Sequence, residues 1–294
     1  MRVGVIGLGS MGYGMAQSLL RAGHQTHGFD IDSETVSRFR AEGGAAGTLS
    51  EVASDLNCAV IVVLNDAQTR TVLDDLLPRM SRGSVVISCA TVPPAFAREM
   101  AARAESAGVH YLDAPISGGA VKAAAGALSI MASGSAAAFE AAQPALDAMA
   151  ESVFTLGDEA GAGSAMKAIN QLLVGVHIAA MGEAMTFGMT QGVDPGQTLE
   201  VISKCAGTSW AFENRGPHVV EGDYAPASAV DIWLKDLGIV LDIARSARFP
   251  APLTATAFQQ FVAASGSGLG REDDAAVAKV YARNAGLTLP GGDA

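Results

Sequence analysis

Residues 2–12, RVGVIGLGSMG, run from a β-branched apolar segment straight into three glycines, Gly7, Gly9 and Gly12, spaced G-x-G-x-x-G. The apolar run reads as a buried strand. SMGYGMAQSLLRAGH behind it has helical spacing and stops at Gly23. A glycine turn between a buried strand and a helix has a specific physical use. The first glycine allows the tight turn, the second lets the backbone approach a pyrophosphate, and the third lets helix and sheet pack closely. The helix N-terminus then offers free N–H groups and a positive dipole end to phosphate. Leu8, Ser10 and Met11 fill the same loop and are expected to touch the cofactor with the glycines.

The pattern continues. QTHGFD is a second strand ending at Asp30, and SETVSRFRAEG is a helix opened by Ser33. CAVIVVLN, SVVISCA and GVHYLDAP are further strands with helices or loops between them. Such alternation predicts a doubly wound parallel sheet, a Rossmann domain over residues 1–162, with ligands beyond the carboxyl ends of the strands. Asp30, 18 residues past Gly12, can accept hydrogen bonds from ribose hydroxyls and would repel a 2′-phosphate; no arginine follows in IDSE. The expected cofactor is NAD. The other strand ends place Leu64 and Asn65, Thr91 before Pro93-Pro94, and DAPISGG at the same edge. Thr91 is either a cofactor contact or a helix cap.

From 163 to 294 only helical spacing remains, which predicts an all-α domain. Ser164 is a candidate N-cap for a helix running to Gln191, 28 residues and roughly 42 Å long. Past its first two turns it is apolar on nearly every side, so it should be a spine between the halves, covered by later helices and a second subunit. A homodimer or homotetramer is expected. Lys167, Asn170 and Gln171 stand at i, i+3 and i+4 and share one face. An ammonium group there either snorkels to solvent or serves chemistry. In VDIWLKDLGIVLDIA, adjacent Lys235 and Asp236 should diverge, Lys235 reaching toward the ligand and Asp236 bonding elsewhere. Trp210, Phe212, Asn214 and Arg215 either close the site or form an aromatic pair beside a surface arginine.

The totals exclude several classes. Net charge is -11 with no basic stripe, against a nucleic-acid or anionic-membrane partner. His177 and Glu183 interrupt the longest apolar run, against a membrane span. Cys58, Cys89 and Cys205 read as reduced thiols of a cytoplasmic protein. His24, His27, His110, His177 and His218 show no ligand spacing, so no metal is expected.

GLGSMG, DAPISGG, GAGSAMKAINQ and WLKD, in that order over nearly the whole chain, resemble the β-hydroxyacid dehydrogenase family, relatives of 3-hydroxyisobutyrate and 6-phosphogluconate dehydrogenases. The resemblance implies that Ser117, Gly118 and Gly119 hold the substrate carboxylate and that Lys167 is catalytic. It also implies that Thr91 and Lys235 contact the cofactor. Many members carry two asparagines after the lysine; here they are Asn170 and Gln171, expected to bind the substrate, the second through an amide on a longer arm. SWAFENRGPHVVEGDYAPASAVDIWLKDLG and HIAAMGEAM look closest to the L-threonate dehydrogenase branch, which oxidises a four-carbon sugar acid at C2 with NAD.

The implied chemistry is coherent. Alcohol oxidation needs a base for the hydroxyl proton while hydride leaves carbon. An ordinary lysine, near pKa 10.4, is too strongly protonated, but desolvation and a cationic nicotinamide both disfavour its ammonium form. Within the family, 3-hydroxyisobutyrate dehydrogenase and tartronate semialdehyde reductase are the competing activities. A dinucleotide-binding module without catalysis would have lost the lysine.

Overall fold

The structure, a computed structural model, describes residues 1–291. The first compact unit, Met1–Lys167, is built on a five-stranded parallel sheet. In chain order it contains β1 (Arg2–Ile6), α1 (Gly12–Arg21), β2 (Gln25–Phe29), α2 (Ser33–Ala41), α3 (Leu49–Val52) and β3 (Cys58–Ile61). Then come α4 (Asp66–Leu76), β4 (Val85–Ser88), α5 (Pro94–Ser106) and β5 (His110–Asp113). The order is β2-β1-β3-β4-β5, so the winding reverses between β1 and β3, and the crevice beyond their carboxyl ends is where such sheets take ligands.

The sheet is buried on both faces, as its run of small and β-branched residues requires. Val3, Val5, Cys58 and Val60 face α1 with Met15 and Leu19. Ala59, Ile61 and Val86 face α4 and α5 with Leu73, Leu76, Phe96 and Met100. The helix after β2 begins at Ser33, but its cap is Asp32, whose carboxylate accepts from the Glu34 N–H.

A second sheet was not foreseen. It joins β6 (Ile116–Ser117), β7 (Leu128–Ala132) and β8 (Ala150–Thr155), with α6 (Gly119–Ala125) and α7 (Ala136–Met149) between them. β6 pairs antiparallel with β7, and β7 parallel with β8. Ala-rich segments surround these short strands, and their strong helix propensity masks two-residue alternation.

The long helix α8 (Ala162–Thr190) starts in the first unit and continues into the second, Ala168–Ala294. It opens before Ser164, which therefore lies in its first turn rather than at its cap. The second unit adds α9 (Pro195–Ile202), α10 (Trp210–Glu221), α11 (Val230–Ser246), α12 (Pro252–Ala264) and α13 (Val277–Asn284). Ile178, Met181, Met185, Trp233, Leu237 and Phe261 are among the side chains of its core, with Trp233 stacked on Phe261.

By length and composition alone α8 could cross a membrane. The expectation that it is covered on every side does not hold within the chain. Ile169, Leu173 and Phe187 are 54%, 48% and 66% exposed, and with Ala180 and Ala184 they form one stripe at helical spacing. Hydropathy reveals that a helix is apolar; it does not reveal which of its faces the same chain covers.

Candidate active site

The glycine loop divides its labour as the spacing suggests. Gly7 has φ +97°, and a Cβ there would lie 2.3 Å from the Val62 carbonyl oxygen. A Cβ at Gly12 would lie 1.9 Å from the Gly7 oxygen, so α1 can approach the strand only without a side chain. At Gly9 nothing lies within 4 Å: that backbone faces open space. Ser10 beside it is exposed and Met11 half-buried. Asp30, just past β2, accepts the Leu8 N–H through Oδ2 at 2.6 Å and the Asp32 N–H through Oδ1 at 2.9 Å. Its carboxylate thus braces the glycine loop as well as standing at the strand end. These residues fit a dinucleotide: open backbone at Gly9, a helix N-terminus at Gly12, and a carboxylate at Asp30.

After β3, Leu64 is exposed and its N–H donates to Gln68 Oε1, while Asn65 caps α4 through the Gln68 N–H. Asn65 thus has a structural duty that its position at a strand end did not announce. Thr91 is half-buried, and α5 is capped by Pro93, so the cap reading of Thr91 does not hold.

The segment after β5 carries the most information. The Asp113 carboxylate is buried and accepts four hydrogen bonds: the Gly161 and Ser164 N–H groups, both at 2.9 Å, Ser164 Oγ at 2.6 Å and Ser133 Oγ at 3.3 Å. Ser133 Oγ also accepts the Gly163 N–H at 2.9 Å. The orphan donors of the first turn of α8 are thereby satisfied from the sheet, and the carboxylate lies at the positive end of the helix. Burial pushes the Asp113 carboxyl above the usual range, and these hydrogen bonds hold it down. Sequence reasoning gave Asp113 no role, although it opens the DAPISGG motif.

Three residues past Ser164, Lys167 is 9% exposed, and its Nζ donates to the Ile116 carbonyl at 2.8 Å. Snorkelling to bulk water is thereby excluded. Ile116 immediately precedes Ser117, so the amine is tied beside the Ser117-Gly118-Gly119 turn. There Gly118 and Gly119 take φ +134° and +74°, a backbone that favours glycine. Ser117 and Gly118 are half-buried and Gly119 exposed. A hydroxyl and successive glycine N–H groups can cradle a small anion.

In the second unit, Asn170 Nδ2 donates to Gln171 Oε1 at 2.8 Å, and Gln171 Nε2 donates to Asp236 Oδ2. Lys235 Nζ meets Asp236 Oδ1 at 2.6 Å, so these neighbours do pair, contrary to the expectation that they diverge. Four methylenes let the lysine bend back to the next residue, which helical angle alone does not anticipate. Arg215 is not a surface residue either. Its guanidinium donates to buried Asp274 at 2.6 Å, while Phe212 is buried and Trp210 exposed.

With this geometry in view, the comparisons are specific. Residues 2–157 match the NAD binding domain of 6-phosphogluconate dehydrogenase. Residues 161–281 match the NAD-binding domain of NADP-dependent 3-hydroxyisobutyrate dehydrogenase. The chain belongs to the 3-hydroxyisobutyrate dehydrogenase-like family, dinucleotide-binding enzymes that act on hydroxy acids. An L-threonate dehydrogenase of Cupriavidus necator is 49% identical, covering 98% of each chain. That of Escherichia coli K12 is 45% identical over 98% of this chain and 96% of its own. A crystal structure of a 3-hydroxyisobutyrate dehydrogenase from Salmonella typhimurium is 49% identical with a TM-score of 0.90, covering 95% of this chain and 99% of its own.

Proposed function

We propose that the protein oxidises L-threonate at C2 to the 2-oxo acid with NAD, using Lys167 as general base. One observation carries this reading: the Lys167 amine is withdrawn from water and held through Ile116 beside the Ser117–Gly119 turn. Bound at the glycine loop, the dinucleotide supplies the hydride acceptor. Gly7, Leu8, Gly9, Ser10, Met11 and Gly12 would cradle its phosphates, and Asp30 its ribose. Leu64 and Asn65, past the end of β3, and Thr91 and Lys235, which the family resemblance implies, complete the contacts.

Ser117 Oγ and the Gly118 and Gly119 N–H groups hold the substrate carboxylate, which sets the hydroxyl against Lys167. The amine takes the hydroxyl proton and returns it in the reverse direction. Holding the acid at one end fixes the distance at the other, where small misplacements cost rate heavily. The domain division at residues 162/163 belongs to this reading, as does a cytoplasmic setting.

The L-threonate assignment rests on the names of the similar enzymes from Cupriavidus and Escherichia. The name of the Salmonella protein favours 3-hydroxyisobutyrate as the second reading. A panel of C3 to C5 hydroxy acids, followed by NADH absorbance, separates them: L-threonate should have the highest kcat/KM, and a higher value for 3-hydroxyisobutyrate overturns the choice. Lys167→Ala should lower kcat by about 10²–10⁴-fold with the fold intact by circular dichroism. Wild-type turnover in that variant removes Lys167 from the mechanism. Asp30→Ala should raise the NADP-to-NAD ratio of kcat/KM, since it removes the carboxylate that repels a 2′-phosphate.

The same reading makes the chain a homodimer or homotetramer, because the Ile169, Leu173 and Phe187 stripe is apolar and uncovered. Light scattering of wild type against Leu173→Glu checks this; a monomeric wild type refutes it.

A further inference from the structure

Two helices of the first unit begin at the two ligand anchors. α1 opens at Gly12 of the glycine loop, and α6 opens at Gly119 of the Ser117–Gly119 turn. One face of α1 joins the two helices to each other. Gly14, Ser18 and Arg21 stand at i, i+4 and i+7, so they form a single stripe. A Cβ at Gly14 would lie 2.6 Å from the Ala124 nitrogen, 2.9 Å from its Cα and 3.0 Å from the Ala123 carbonyl carbon. The two backbones therefore touch with no side chain between them. Buried Ser18 donates through Oγ to the Ala123 carbonyl at 3.0 Å. The Arg21 guanidinium donates to the Ala124 carbonyl and, at 2.7 Å, to Ser18 Oγ. The last carbonyls of a helix have no partner in the helix itself, and α1 supplies one to two of those in α6.

Glycine weakens a helix relative to alanine, yet Gly14 stands in the first turn of α1. What the helix obtains in exchange is close approach to α6. That approach bears on the reaction. A dinucleotide held by its phosphates and an acid held by its carboxylate meet at atoms that neither anchor touches. Ala124 follows Gly119 by five residues, about 7.5 Å of rise, and Gly14 follows Gly12 by two. A displacement at the seam is thus carried to both anchors through short stretches of helical backbone.

We infer that the seam between α1 and α6 is a spacer, and that Gly14, Ser18 and Arg21 are positioning residues that set the interval between the two anchors without touching either ligand. This rests on the proposed binding of dinucleotide and hydroxy acid, and goes further by naming what fixes the distance between them.

The test measures each anchor separately from turnover. Gly14→Ala forces the seam apart by roughly 1 Å, since a Cβ 2.6 Å from the Ala124 nitrogen must retreat to a contact of about 3.5 Å. Fluorescence titration with NADH reads the Kd and the number of sites per chain. The hydroxy acid that wild type oxidises fastest reads KM and kcat. One NADH should still bind per chain, with Kd and KM within about threefold of wild type, while kcat falls about ten- to hundredfold. A variant that merely folds poorly would lose NADH sites in proportion to kcat, which overturns the inference. A loss carried by Kd or KM overturns it too, because the seam would then shape one anchor rather than space the pair. If Gly14→Ala does not fold, Arg21→Ala at the exposed end of the stripe decides: kcat should fall about three- to tenfold with NADH binding kept, and an unchanged kcat refutes the spacer. Wild type that oxidises no acid of the panel fails the parent reading, and this inference falls with it. An active wild type beside an equally active Gly14→Ala fails this inference alone.

Discussion

Each unit of the molecule buries a carboxylate, and the two are held in opposite ways. In the first unit Asp113 is surrounded by neutral donors: two backbone N–H groups and the hydroxyls of Ser133 and Ser164. In the second unit Asp274 faces the Arg215 guanidinium on one oxygen and the Trp233 indole N–H at 2.9 Å on the other. Burial raises the affinity of both for a proton, Asp274 to about 6. Neutral donors are directional, so Asp113 fixes where the first turn of α8 lies. A guanidinium supplies charge, so Asp274 is tied first to Arg215 on α10, with Trp233 on α11 holding its second oxygen.

The comparison breaks most readily at Arg215. Arg215→Ala strands Asp274 beside the equally buried Asp273 and should cost about 3–5 kcal/mol in urea unfolding at pH 8. The loss should shrink near pH 5, where the lone carboxyl takes up a proton. A pH-independent loss would mean that packing, not charge, is what Arg215 supplies. Asp113→Asn keeps the shape but turns an NH₂ toward donors, so about 1–3 kcal/mol should go. Hydrogen exchange should concentrate that loss at Gly161, Gly163 and Ser164; uniform loss would refute the anchoring role.

The remaining effect is a slope. The folded state holds the Asp274 proton more tightly than the unfolded chain does. Its contribution is therefore fully present below the ordinary carboxylate range and is lost as pH rises through about 6. The stability of wild type minus Asp274→Asn should fall across that window, by on the order of a few kcal/mol. A flat difference would show that Arg215 fully offsets the burial.

The glycine corner was legible in the sequence because its logic is local: strand, turn, helix and acid follow within 30 residues. Lys167 could be singled out by its apolar company, but its partner Ile116 is 51 residues distant, and no spacing reveals that. Asp113 was hidden for the same reason, with its donors at 133, 161 and 164. The Lys235–Asp236 pair was misread because side-chain flexibility is absent from a helical wheel. Two strands, Leu128–Ala132 and Ala150–Thr155, went unseen amid alanine, where local propensity and final conformation disagree.

The clamp at the beginning of α8 has a mechanical meaning. A rod pinned near one tip sways most at the other, and here Lys167 follows Ser164 by three residues, about 4.5 Å of rise. In a helix of 29 residues the amine therefore lies within one turn of the bonded serine.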